Sequence, residues 1–91
     1  MKGLEIRIFG RVQGVSFRFF TKRKAIKYNI RGYVMNLPDG SVKTVAVGDE
    51  KNLDKFISEL RIGPALARVD KIEINEIITE EFPENFQIRY Y

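Results

Sequence analysis

The 91-residue chain contains no cysteine, no histidine and no tryptophan. Without cysteine there is no disulfide framework and no thiol nucleophile, a composition that suits the reducing cytoplasm. Without histidine there is no imidazole general base, no Ser-His-Asp triad and no zinc site of the usual kind. A transmembrane helix needs roughly 18 or more consecutive apolar residues, and no such run occurs. Met1-Lys2-Gly3-Leu4-Glu5 passes straight into a strand pattern, so no secretory leader is expected. Any catalysis has to be carried by Arg, Lys, Asp, Glu, Asn, Ser, Tyr and backbone dipoles.

What is present is unevenly distributed. The length fits one domain over residues 1–91, with a single core. Residues 1–48 hold 10 Lys and Arg against 2 Asp and Glu, a balance of +8. Residues 49–91 hold 6 against 10, a balance of −4. The first half therefore carries a potential that draws in small anions. Its densest run, Lys22, Arg23, Lys24 and Lys27, has the plainer reading of a solvated helix face.

Leu4, Ile6 and Ile8 alternate with Glu5, Arg7 and Phe9, the period of a half-buried strand. A helix is expected from Phe17 or Phe20 to Tyr28. Phe17, Phe20, Thr21, Ala25 and Tyr28 share one side, with Lys24 intruding and Ile26 opposite. Asn29 suits a left-handed residue after the helix, and Ile30 can fold back on the last turn. Arg31 to Leu37 and Val42 to Val47 read as a hairpin around the turn triplet Pro38-Asp39-Gly40. Leu53, Phe56, Ile57 and Leu60 recur at i, i+3, i+4 and i+7, marking a helix that opens at Gly48-Asp49 and stops at Gly63-Pro64. Val69, Ile72 and Ile74 start a fourth strand, Glu80 to Glu84 an acidic turn with Pro83, and Phe86, Ile88 and Tyr90 a short last strand. The order is β-α-β-β-α-β with a tail strand. It implies an α+β, ferredoxin-like sandwich: an antiparallel sheet with two helices on one face, plus a short C-terminal strand.

The chemistry is expected in the stretch Gly10-Arg11-Val12-Gln13-Gly14-Val15-Ser16-Phe17-Arg18. A strand that runs through a glycine-punctuated loop into a helix points several unpaired N–H groups at one spot, and the helix N-terminus adds partial positive charge. Arg18 adds a planar fork suited to phosphate or carboxylate. Asn36, near the end of the second strand, carries an amide that accepts from a water proton and donates to an oxygen. The residues alone leave plainer readings open. Gly10 and Gly14 also suit simple turns, Arg18 an ion pair, and Asn36 a turn support. Tyr33, Tyr90 and Tyr91 read as core or edge aromatics rather than catalytic acids.

The run from Ile8 to Arg18 resembles the first signature of the acylphosphatases. Gly32-Tyr33-Val34-Met35-Asn36, with Gly40, Val42 and Gly48 at matching spacing, resembles the second. Ala25, Tyr28, Gly63-Pro64, Ala67-Arg68-Val69 and Phe86-Gln87-Ile88-Arg89-Tyr90 extend the similarity nearly end to end. The resemblance implies hydrolysis of acyl phosphates to a carboxylate and inorganic phosphate. It assigns phosphate binding to the backbone of Gln13, Gly14, Val15, Ser16, Phe17 and Arg18, with the Arg18 side chain on the phosphate oxygens and Asn36 orienting the water. It implies no cofactor or metal, no nucleic-acid or membrane partner, and a monomer. Two residues depart from the family pattern. Ser16 stands where glycine is frequent, and Asn29 where a helix-ending glycine is usual. Neither is a residue given a catalytic role.

Such a reaction accounts for the missing histidine. The carboxylate leaving group has a conjugate acid of pKa about 4 and needs no general acid. The phosphoryl transition state is loose, so placing water and stabilising the equatorial oxygens are the main tasks. Two rivals stand beside this reading. An RNA-recognition module shares the element order, but Arg31-Gly32-Tyr33 falls on the second strand and Val34, Met35 and Asn36 break its aromatic pattern. A non-catalytic module binding a small anion or carbamoyl phosphate, of the kind found inside larger proteins, is the other. A chain that begins and ends with the domain leads one to expect the free-standing enzyme.

Overall fold

The computed structural model describes residues 1–78 and 83–91, so the acidic turn expected over Glu80 to Glu84 lies partly outside the described residues. The elements run β1 (Lys2–Arg11), α1 (Phe17–Lys27), β2 (Arg31–Asn36), β3 (Val42–Gly48), α2 (Glu50–Ile62), β4 (Arg68–Glu76) and β5 (Gln87–Arg89). The strands form one sheet in the order β4-β1-β3-β2-β5. The first four pair antiparallel, as the expected sandwich requires. The short fifth strand lies parallel to β2, which makes the sheet mixed.

Period-two patterning explains which face is covered. Leu4, Ile6 and Ile8 of β1 stand opposite Ala46, Thr44 and Val42 of β3, and all six are buried. Both helices pack on that face: α1 through Phe17, Thr21 and Ala25, and α2 through Leu53, Phe56 and Leu60. Burying a large apolar side chain contributes about 1.5–3 kcal/mol, so these rows hold the layers together. On the opposite face, Arg7 and Lys71 each lie 5.4 Å from the centre of the Phe9 ring, and Arg89 lies 4.1 Å from that of Tyr33. Cations over aromatic faces let rings stand on the wet side of a sheet.

The imperfect face of α1 has a tertiary cause. Lys24, among apolar neighbours, reaches across to Glu59 of α2 at 3.0 Å, while Ile26 stays exposed. The helix ends as expected: Asn29 is left-handed (φ 56), and Ile30 N–H donates to Ala25 O at 2.8 Å. Buried Ile30 then folds back onto the core. Among the described residues no helix is long and apolar enough to cross a membrane.

Candidate active site

The loop between β1 and α1 is held by its own side chains. Val12, Val15 and Phe17 are buried, while Gly14 and Ser16 between them are exposed. Gly14 (φ 73) and Ser16 (φ 64) are both left-handed, so the backbone turns outward as the apolar side chains turn in. A Cβ at Gly14 would meet nothing within 4 Å, so glycine is demanded there by conformation and not by space. Ser16 takes the same region with a Cβ, at a cost of about 1–2 kcal/mol. It precedes α1 without a side-chain capping bond. The first bond of the helix runs from Phe20 N–H to Ser16 O, 3.0 Å. Among the described residues, no backbone carbonyl accepts from the N–H groups of Gly14 to Phe19. Gly14, Ser16, Phe17 and Phe19 of this stretch line the same hollow as Arg18, the second residue of α1.

Asn36 arrives from the sheet. On β2 the positions facing the helices are Gly32, Val34 and Asn36, because Val34 pairs with buried Thr44 and Asn36 with buried Val42. Asn36 thus continues the core row to the sheet's end, where the loop lies. Its side-chain oxygen is shielded from solvent and has no donor among the described residues. A hollow of about 250 Å³ is lined by Val12, Gly14, Ser16, Phe17, Arg18, Phe19 and Asn36. Of the residues expected at the site, this brings together Gly14, Ser16, Phe17, Arg18 and Asn36. Val15 offers only its backbone, since its side chain is in the core.

Gln13 behaves differently at its side chain. The amide nitrogen donates to Leu37 O at 2.7 Å and to Ser41 O at 2.9 Å, pinning the loop to the β2–β3 turn. The turn is braced again from within. Asp39 accepts from Ser41 N–H at 2.9 Å and Ser41 Oγ at 2.5 Å, and Arg7 reaches Asp39 at 2.8 Å. The Ser41 hydrogen bonds, and after them Arg7, hold the Asp39 carboxyl below its ordinary value. Asn36 is the shoulder of this turn, so its distance from the loop is set by both braces.

The plainer readings separate on charge pairing. Lys24 and Lys27 both lie by Glu59, at 3.0 and 3.7 Å, and belong to the contact between helices. Arg18 has no carboxylate partner among the described residues. Its guanidinium instead lies 4.7 Å from the centre of the Tyr90 ring. Tyr90 and Tyr91, with Leu37 and Pro38, line a second hollow of about 410 Å³ that shares Arg18 and Asn36 with the first. The sequence marks Tyr90 only as an aromatic of the last strand. The one signal was its place in the alternation Phe86, Ile88, Tyr90, and that does not say which neighbour the ring will meet.

The family model described as Acylphosphatase matches residues 4–88. An acylphosphatase of Archaeoglobus fulgidus is 49% identical over 90 residues, which span 99% of this chain and 100% of that one. The crystal structure of acylphosphatase from Bacillus subtilis superposes with a TM-score of 0.94 at 36% identity, covering 99% of this chain and 100% of that chain. HypF of T. kodakarensis contains a similar unit, at 41% identity and a TM-score of 0.87, covering 98% of this chain but only 12% of HypF.

Proposed function

The chain belongs to the acylphosphatase family, and on that premise we propose that it hydrolyses the carboxyl–phosphate bond of small acyl phosphates, as a single domain over residues 1–91. The observation that carries this reading is one hollow lined by loop residues whose backbone N–H groups are unpaired, by Arg18 and by Asn36.

In the proposed mechanism the N–H groups of Gly14 to Arg18 and the Arg18 guanidinium hold the phosphoryl oxygens. Buried Val12, Val15 and Phe17 preorganise that cradle, so its dipoles need not reorient as charge develops. The side-chain amide of Asn36 orients the attacking water and aims it at phosphorus. The P–O bond to the acyl group breaks, its electron pair leaves on the carboxylate, and the water oxygen bonds to phosphorus. The water proton passes to an oxygen of the phosphate, yielding inorganic phosphate. No general acid is needed, because a carboxylate with a conjugate pKa of about 4 leaves unaided. The Gln13 side chain keeps the loop and Asn36 in register.

The chain is proposed to act as a cytoplasmic monomer on these small molecules alone, with neither nucleic acid nor membrane as partner. The lack of cysteine supports a reducing compartment. The RNA reading loses its footing because Arg31-Gly32-Tyr33 lies on β2. The test is absorbance-monitored hydrolysis of benzoyl phosphate with EDTA present and Arg18→Ala as control. Hydrolysis by the wild type that is lost in a folded Arg18→Ala supports the reading. No hydrolysis by the wild type, together with salt-dependent oligonucleotide binding, would replace it with the RNA reading.

A further inference from the structure

We propose that Tyr90 is a positioning residue for Arg18, holding the guanidinium by its ring face so that the N–H donors stay free for phosphate. This rests on the reading of Arg18 as a phosphate ligand.

Among the described residues, six long cationic side chains are held by carboxylates. Lys2 pairs with Glu76, Arg7 with Asp39, Lys24 with Glu59 and Arg68 with Asp70. Such a partner would be self-defeating at a phosphate site. A carboxylate occupies the in-plane N–H fork of arginine, offsets its charge and competes directly with the anion. An aromatic ring avoids all three effects. It attracts the cation through the π face and leaves the in-plane donors free. Arg18 has that arrangement: its Cζ is 4.7 Å from the Tyr90 ring centre, and no carboxylate among the described residues pairs with it.

Strand register puts the ring there. β5 runs parallel to β2 with Val34 opposite Ile88 and Met35 opposite Arg89. One further step sets Tyr90 alongside Asn36, on the face that carries Val34 and the helices. Tyr90 accordingly lines a hollow with both Arg18 and Asn36. The ring is 77% exposed, so it adds little to the core, and its placement is accounted for by the side chain it covers.

The test compares Tyr90→Leu, which removes the ring, with Tyr90→Phe, which keeps it and loses only the hydroxyl. Steady-state kinetics on benzoyl phosphate and inhibition by inorganic phosphate are read for both, alongside thermal unfolding. An exposed cation–π contact corresponds to about 2- to 5-fold in affinity. Tyr90→Leu should therefore lower kcat/KM and weaken phosphate inhibition by about that factor, with an unchanged melting temperature. Tyr90→Phe should stay near the wild type. Phosphate binding to Arg18→Ala and to Arg18→Ala/Tyr90→Leu, followed by NMR titration of the loop amides, closes the cycle and should give equal affinities. Wild-type kinetics in Tyr90→Leu, an equal loss in Tyr90→Phe, or the same drop in phosphate affinity without Arg18 would overturn the proposal. Full activity in Arg18→Ala would instead remove the reading of Arg18 on which it stands.

Discussion

The side-chain amide of Gln13 donates to the backbone carbonyl of Leu37 at 2.7 Å, tying the loop between β1 and α1 to the residue next to Asn36. A second bond, to Ser41 O at 2.9 Å, makes the tie bidentate. Two pieces of the site that meet only through folding are thus locked by one amide group.

Gln13→Ala should accordingly act on geometry and on stability together. Both carbonyls keep a backbone partner, Leu37 O from Gly40 N–H and Ser41 O from Leu37 N–H. The loss of two half-buried bonds should cost about 1–2 kcal/mol in urea unfolding. It should lower kcat more than it weakens phosphate inhibition, because the loop N–H groups survive while Asn36 loses its register. A variant as stable and as active as the wild type would show the tie to be idle.

Arg18 and Asn36 should separate by kinetic signature. Arg18→Ala should reduce turnover of benzoyl phosphate by at least about 10²-fold, the usual cost of one preorganised donor to a developing oxyanion. Inhibition by inorganic phosphate should weaken with it. Asn36→Ala should lower kcat and leave phosphate affinity largely intact. If phosphate affinity collapses in Asn36→Ala, the amide is a ligand of the anion and not of the water.

The two left-handed positions of the loop make opposite predictions. Ser16 (φ 64) makes no capping bond through its side chain, so Ser16→Gly sheds strain and loses no capping bond. Its thermal stability should stay the same or rise by up to about 1 kcal/mol, with activity kept. Gly14→Ala (φ 73) should lose about 1–2 kcal/mol and weaken phosphate inhibition, since the loop can relax only by moving its N–H groups. Unchanged phosphate affinity in the Gly14→Ala variant would detach loop conformation from anion binding.

Acid should loosen the turn that carries Asn36. The Asp39 carboxyl is held below its ordinary 3.8, chiefly by hydrogen bonds from Ser41 and then by Arg7. A depressed carboxyl contributes stability above its unfolded value and loses it as pH falls through the folded value. Asp70, bonded by Arg68, and Glu59, bonded by Tyr28 and then Lys24, are shifted in the same direction. Stability measured by urea unfolding should therefore fall as pH drops below the ordinary carboxylate range. The gap between the wild type and Asp39→Asn should narrow over the same interval. A gap that is constant from neutral pH to acid would exclude an ionised Asp39 as the brace.

Much of this protein is written locally. The alternation of Leu4, Ile6 and Ile8, the helical spacing of Leu53, Phe56 and Leu60, and the left-handed tolerance of Asn29 concern neighbours along the chain, so sequence alone determined the elements and their order. It also singled out the loop to Arg18 and the strand end at Asn36, because a glycine-punctuated strand-to-helix turn and an amide beside a turn are local patterns. Tertiary structure decided what those patterns could not contain. Strand register set Asn36 on the helix-facing side and brought β5 parallel to β2. Helix packing gave Lys24 to Glu59. The pairing of β5 with β2 put Tyr90 on Arg18, while the Gln13 side chain went to Leu37 and Ser41. These contacts join residues far apart in sequence, and their partners are chosen by register and packing of the whole sheet, which no local propensity encodes.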